Sequence, residues 1–430
     1  MTRDMDLTSE EAAILAGERG EALRKVMASV VRYGEVFDAD RLVPLDGPGH
    51  LVMSMGVGIL RPLYRMLDEI TAAGLRTAWP FTLDPHPLRY QGIRTGLLTR
   101  WVFRWMYGAQ DRLETAYRAI GLREGDPFSC ACYLPEVGNT PRFGDRLAWA
   151  ESSAVAYANS VLGARTNRNA GGIELLCNLL GKAPRYGLLT DAGRQATWHV
   201  EVATSQRPDP QLLGAAIGLR VMEDVPYLSG LDRFLPEVGD PASAAWCKDL
   251  GAAAAASGAV GLLHVEGLTP EARDAGRGLL ARETRTYRID DAELARVAGS
   301  FPHAWKRPGA PHKCFIGCPH LAYEQVLAWA DRILAASGGR ALAVETVLLT
   351  APPVRDHVRA SHAALVARLA RVGCRLSTTC PLLYLANPLT AGLRVVTSSC
   401  KLRTYTSARF LGEDALLDAI VRGRLPEDER

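Results

Sequence analysis

Strand-like and helical segments alternate along the whole chain, and this alternation limits the fold more than any other feature. A Thr8-Ser9-Glu10-Glu11 capping box opens a helix, and Leu15, Leu23, Val26 and Val30 follow at helical spacing. Gly17 and Gly20 weaken that helix and are expected to serve close packing. Residues 41–46 read as a short strand that enters a loop at Gly47-Pro48-Gly49, next to His50. Segments 60–73, 97–120 and 146–162 read as helices. Segments 198–203 and 261–265 are strand-like, 321–336 is an amphipathic helix, 342–349 is β-rich, 355–372 is helical and 393–397 is a strand. Such a series predicts an α/β fold with mainly parallel sheets. The proline-bearing stretch 206–210 and the stretch 287–311 are the candidate seams between subdomains, and there is no internal repeat.

At 430 residues the chain is long enough to bury a large core without staples. Its 50 basic and 47 acidic residues leave a formal charge of +3, which carries no electrostatic footprint for nucleic acid or an anionic membrane. Only six of the basic residues are lysine, a bias that accompanies alanine enrichment in GC-rich genomes. The polar start, 1–6, is followed by no apolar h-region, and no apolar run reaches the ~18–20 residues of a membrane span. The expected setting is cytoplasmic, where the nine cysteines are reduced thiols or metal ligands.

Common catalytic signatures are missing. There is no phosphate-binding loop and no H-E-x-x-H; Gly56-Val57-Gly58 lacks the third glycine of a dinucleotide fingerprint, and Ser153 lies outside a G-x-S-x-G elbow. The cysteines say more. Cys130 and Cys132 lie in Ser129-Cys130-Ala131-Cys132-Tyr133, Cys314 and Cys318 in Lys313-Cys314-Phe315-Ile316-Gly317-Cys318-Pro319-His320, and Cys380 in Thr378-Thr379-Cys380-Pro381. These are loop-like or element-end positions, where thiolates suit soft metals and iron–sulfur clusters. Against this, a lone cysteine is more often a small buried hydrophobe, the reading that fits Cys177 and Cys247. Spacing alone leaves both readings open for the other thiols.

A second constellation runs Ala148-Trp149-Ala150-Glu151-Ser152-Ser153, then Ala158-Asn159-Ser160, then Gly163-Ala164-Arg165-Thr166-Asn167-Arg168. Its Glu, Ser, Asn and Arg residues suit a carboxylate substrate, with Arg165 and Arg168 as a two-pronged clamp. A capped, solvent-facing helix end has the same composition.

These residues resemble the catalytic, large part of aconitase X, a branch of the aconitase superfamily. The likeness runs from Leu7-Thr8-Ser9-Glu10-Glu11 and Ala16-Gly17-Glu18 to Thr397-Ser398-Ser399-Cys400-Lys401, nearly the whole chain, and is most specific over 148–168. His264 and Thr269-Pro270-Glu271-Ala272 belong to it too. The resemblance implies an aconitase-like fold of three α/β/α subdomains around a metal-cluster cleft, with no swivel domain on this chain. It also implies an iron–sulfur hydro-lyase in which Cys130, Cys318 and Cys380 hold a 4Fe–4S or 2Fe–2S cluster, or a single iron. The sequence departs from the family pattern at Cys132, usually proline, at Cys314 and Cys400, at Ser398 in place of asparagine, and at His50. These departures bear on substrate identity more than on reaction class.

In such a reaction a Lewis acid draws off the hydroxyl, while cations hold carboxylate charge and steady an enolate-like transition state. The expected catalytic residues are Glu151, Ser152, Ser399, Lys401 and His320; His50, Asn159, Arg165, Thr166 and Arg168 are the expected substrate-binding residues. The resemblance further implies a small swivel subunit carrying a catalytic serine, since 411–430 reads as one helix and a charged tail. The expected substrate is cis-3-hydroxy-L-proline, dehydrated to 1-pyrroline-2-carboxylate. Mevalonate 5-phosphate and a secondary-metabolic hydroxy acid are the alternatives within the family. From other classes, a non-catalytic iron–sulfur or zinc protein and an ordinary α/β enzyme with structural cysteines remain.

Overall fold

The computed structural model describes residues 5–235, 239–302, 305 and 309–425. The first helix, Ser9–Leu15, starts where expected: the Glu11 N–H donates to Thr8 Oγ1 and the Thr8 N–H to the Glu11 carboxylate. It does not continue through the glycines. Gly17 and Gly20 take φ of +93° and +95°, the chain turns, and a separate helix Glu21–Val36 begins. The close-packing expectation for these glycines is corrected, because a side chain at Gly20 would meet nothing within 4 Å.

The N-terminal part carries β1 (Leu42–Pro44), β2 (His50–Leu51), β3 (Thr82–Leu83) and β4 (Lys182–Pro184). β1 pairs antiparallel with β4, and β2 pairs parallel with β3. Single parallel bridges from Leu83 to Phe128 and from His50 to Trp149 widen the β2–β3 pair. Four segments therefore run in one direction, and just past their ends stand Val52, Asp84, Cys130 and Glu151.

The middle part is a four-stranded parallel sheet in the order β7 (His264–Val265), β6 (Pro226–Ser229), β5 (Ala196–Val202), β8 (Leu280–Ile289). Helices Pro210–Val221 and Pro241–Ser257 cover it, with Asp209 and Asp240 accepting backbone N–H groups at their starts and proline in the first turn. The C-terminal part is a five-stranded parallel sheet in the order β11 (Cys374–Ser377), β10 (Glu345–Thr350), β9 (Lys313–Leu321), β12 (Val395–Thr397), β13 (Arg409–Phe410). The α/β expectation with parallel sheets is met.

Several boundaries differ from the expectations. The 97–120 helix is two, Leu97–Met106 and Gln110–Ile120, divided near Gly108. The 355–372 helix divides at His362 into Pro352–Ser361 and Ala363–Val372. The 146–162 helix is only Ser152–Ser160, because Arg146 and Trp149 pair with Arg165 and His50 as extended chain. Stretch 206–210 is the turn from β5 into Pro210–Val221. Of 287–311, residues 303, 304 and 306–308 lie outside the described residues, as do 1–4 and 426–430 at the chain ends. Among the described residues no helix is long and apolar enough to cross a membrane.

Candidate active site

Ligands of open α/β folds bind beyond the carboxyl ends of parallel strands. Here the ends of the widened β2–β3 pair and of the C-terminal sheet line one cavity of about 420 Å³. From the first come Val52, Asp84, Cys130 and Glu151; from the second come Cys318, Cys380 and Lys401.

The Cys318 segment leaves its ladder to get there. β9 and β10 are in register at Ile316 and Leu348, then next at Leu321 and Thr350, so residues 317–320 arch out between them. Gly317 permits the arch at φ +108°, where a Cβ would stand 2.4 Å from the Leu349 carbonyl oxygen. The following Cys318–Pro319 bond is cis. His320 ties this arch to the other two cysteine segments. Its ring meets Ser129 Oγ at 3.1 Å and the Thr379 carbonyl at 3.5 Å, and the His320 backbone N–H donates to Cys130 Sγ at 3.3 Å. From behind, buried Lys248 donates to the His320 carbonyl at 2.9 Å. Burial pushes the His320 ring down to about 4, so it is neutral at pH 7.

Lys401 and Glu151 form an ion pair in the cavity wall, with both side chains buried. Glu151 caps helix Ser152–Ser160: its Oε2 accepts from the Ala154 N–H and from Ser153 Oγ, each at 2.6 Å. Lys401 also donates to Ser153 Oγ at 3.2 Å. Burial works against both charges, but each holds the other ionised: the carboxyl is held below its ordinary range and the ammonium above it.

The three cavity thiols are held protonated. Burial pushes Cys318 up to about 11 and Cys380 up to about 12, and raises Cys130 well above the ordinary thiol value. Neighbouring thiols add to the effect, Cys318 on both of the others, while Lys401 opposes it at Cys130 and Cys318. No cysteine is in a disulfide among the described residues, and there no three His, Cys, Asp or Glu side chains close round a single ion position. The thiols stand along the wall of one open cavity. Beside Cys380 the buried hydroxyls of Ser377, Thr378 and Thr379 have no hydrogen-bond partner among the described residues. Three soft donors, unused hydroxyls and open space fit a thiolate-held metal centre.

The other expected residues divide. Ser152 and Arg168 line the cavity. Asn159, Thr166 and Arg165 do not. Asn159 donates to the carbonyls of Thr166 and Gly261 and accepts from the Thr166 N–H and from Arg194, while Arg165 pairs with Asp191 at 2.6 Å. The expected Arg165–Arg168 clamp is therefore not brought together. Ser399 is turned from the cavity: its hydroxyl donates to the Cys318 carbonyl and accepts from the Leu402 N–H. His50 is wholly buried behind Asp84. Cys314 and Cys400 belong to apolar clusters, and Cys132 lies beside His50, each shifting the other's titration. Asp84 was not among the expected residues, and its only signal is an acidic residue straight after the short β run Phe81-Thr82-Leu83.

The family profile described as "Aconitase X first domain" matches residues 4–192, and "Aconitase X second domain" matches 195–299. The phosphomevalonate dehydratase large subunit of Thermococcus kodakarensis is 36% identical over 328 residues, 75% of each chain. The cis-3-hydroxy-L-proline dehydratase of Pseudomonas aeruginosa is 30% identical over 442 residues, covering 98% of this chain and 70% of that one. The crystal structure of Thermococcus kodakaraensis aconitase X in its holo-form superposes with a TM-score of 0.78 at 30% identity, covering 96% of this chain and 99% of that one.

Proposed function

Because the chain belongs to the aconitase X family and is a hydro-lyase, we propose that it dehydrates a small hydroxy acid, cis-3-hydroxy-L-proline, at the cavity of Cys130, Cys318 and Cys380. One observation carries the reading: thiols from three distant segments share a cavity with a buried lysine–carboxylate pair. The three cysteines would hold an iron–sulfur cluster, which when bound supplies the Lewis acid that draws off a hydroxyl group.

The chain's own residues do the remainder. Lys401, kept an ammonium by Glu151, offers fixed positive charge where the substrate turns enolate-like. Arg168 offers a guanidinium to the carboxylate. His320, with both ring nitrogens engaged, positions the three cysteine segments and moves no proton. Glu151 is bonded on both oxygens and is not free to take the α-proton. We assign that base to a small partner subunit, a reading supported by the words "large subunit" in the name of the T. kodakarensis relative.

Mevalonate 5-phosphate is the second reading. Arg168 has no ion pair among the described residues, and helix Gly171–Leu180 begins beside the wall residues Asn169 and Ala170, both suited to a phosphate. Iron, acid-labile sulfide and turnover of both acids, on anaerobically purified chain with its small subunit, test the proposal. Iron and sulfide with turnover of cis-3-hydroxy-L-proline are expected. Turnover of mevalonate 5-phosphate alone replaces the substrate, and absence of both iron and sulfide after reconstitution removes the cluster.

A further inference from the structure

Four acidic or basic side chains line the cavity wall: Asp84, Glu151, Arg168 and Lys401. Glu151 and Lys401 satisfy each other. The other two do not. Asp84 Oδ1 is buried against His50 Nε2 at 3.5 Å, and its other oxygen accepts no hydrogen bond among the described residues; there, buried Nη1 of Arg168 has no partner. A carboxylate held only from behind and a guanidinium without an ion pair among the described residues therefore line the same cavity.

Asp84 is fixed from behind. His50 Nε2 stands 3.5 Å from its Oδ1, and the Asp84 side chain keeps 23% exposure, so the carboxylate is open on its cavity side. The imidazole is itself anchored: its Nδ1 meets Thr82 Oγ1 at 2.9 Å, and that oxygen accepts from Asn139 Nδ2 at 2.9 Å. Asp84 sits at the end of this column and has little freedom to turn away.

We propose that the cavity is built for a zwitterion: Arg168 receives the substrate's carboxylate and Asp84 receives its secondary ammonium group. The assignment rests on the hydroxyproline reading and adds the residue that recognises the nitrogen. A simple hydroxy acid would satisfy Arg168 and leave the cavity-side oxygen of Asp84 covered by the ligand without a donor, and a phosphate would add repulsion. A cyclic amino acid satisfies both. His50 is then a positioning residue acting through Asp84.

Calorimetric titration of the anaerobically loaded full chain tests this, with L-proline against (S)-tetrahydrofuran-2-carboxylate, whose ring oxygen replaces the NH2⁺ group. Wild type is expected to prefer L-proline by about 10- to 100-fold, the scale of a charge-assisted hydrogen bond. Asp84→Asn should bring the two ligands within about threefold while leaving the oxygen analogue's affinity unchanged. Asp84→Glu should restore part of the preference, His50→Gln should lose part of it, and Arg168→Gln should weaken both ligands about equally. Circular dichroism and melting of each variant separate loss of recognition from loss of fold. A preference that survives Asp84→Asn overturns the assignment, as does a wild type that binds both ligands equally or neither. If that surviving preference comes with lost turnover of cis-3-hydroxy-L-proline, Asp84 is the proton acceptor, and the dehydratase reading stands without the zwitterion site. If wild type binds neither ligand and turns over only mevalonate 5-phosphate, both readings fall.

Discussion

Arg165 and Arg168 are three residues apart and belong to different parts of the molecule. Around Arg165 lies a knot: Asn159, Thr166, Arg194 and Glu271 bond one another from both sides of the junction between the N-terminal part and the middle sheet. Asn159 alone makes two donor and two acceptor contacts, all near 3 Å. Arg168 is different: among the described residues its buried Nη1 has no partner, and it has no ion pair. Buried polar groups are normally bonded, so an unbonded guanidinium nitrogen in a cavity wall is a place where a ligand can complete the structure. Between these two arginines, partners rather than residue type separate scaffold from site.

The contrast breaks most sharply at the thiols. Cys318→Ala is expected to abolish dehydration and iron retention, while the far-ultraviolet spectrum stays native. A cysteine that only packs would give the reverse, a lower melting point with iron retained. Next in size is the knot. Asn159→Ala leaves the Thr166 N–H and two buried carbonyls without partners and should cost about 3–5 kcal/mol in urea unfolding, several lost bonds at once. Iron content per folded chain should be unchanged; loss of iron at wild-type stability would move Asn159 to the site.

His264 gives the knot a pH dependence. Its ring meets the Arg194 carbonyl at 2.8 Å, and burial holds it below its ordinary 6.5, with Glu271 opposing. The folded protein therefore resists the proton that the unfolded chain accepts, and stability present above pH 6.5 is lost as the pH falls below it. Unfolding at stepped pH should show that decline, and His264→Gln should flatten it. The smallest effect belongs to Arg165→Gln. The partly exposed pair with Asp191 should contribute less than about 1 kcal/mol, and KM for the substrate should not move. A tenfold rise in KM would bring Arg165 back to the site.

Alternation alone made the parallel α/β architecture legible. Boundaries failed where tertiary pairing overrode local signals: 146–151 has a helical composition, yet its backbone is taken up by His50 and Arg165. At the site, the thiols and Lys401 were legible through the family resemblance, since composition alone left the cysteines open. Ser399 and Asn159 carry the side chains of an active site, but here they serve as a helix cap and a knot, a distinction that only three-dimensional partners reveal. Asp84 was missed because Asp-Pro after a short strand reads as a turn, and nothing nearby in sequence announces His50 behind it.

The cavity also has a timetable. Glu151 and Lys401 are 250 residues apart, and Cys130 waits 190 residues for His320. During synthesis from the N-terminus, the first sheet ends can be in place long before their counterparts exist. The pocket cannot close until Lys401 has left the ribosome. Until then Asp84 and Cys130 stand at an unfinished edge, and whatever ligand or metal the cavity takes can be captured whole only by a chain that already carries Lys401.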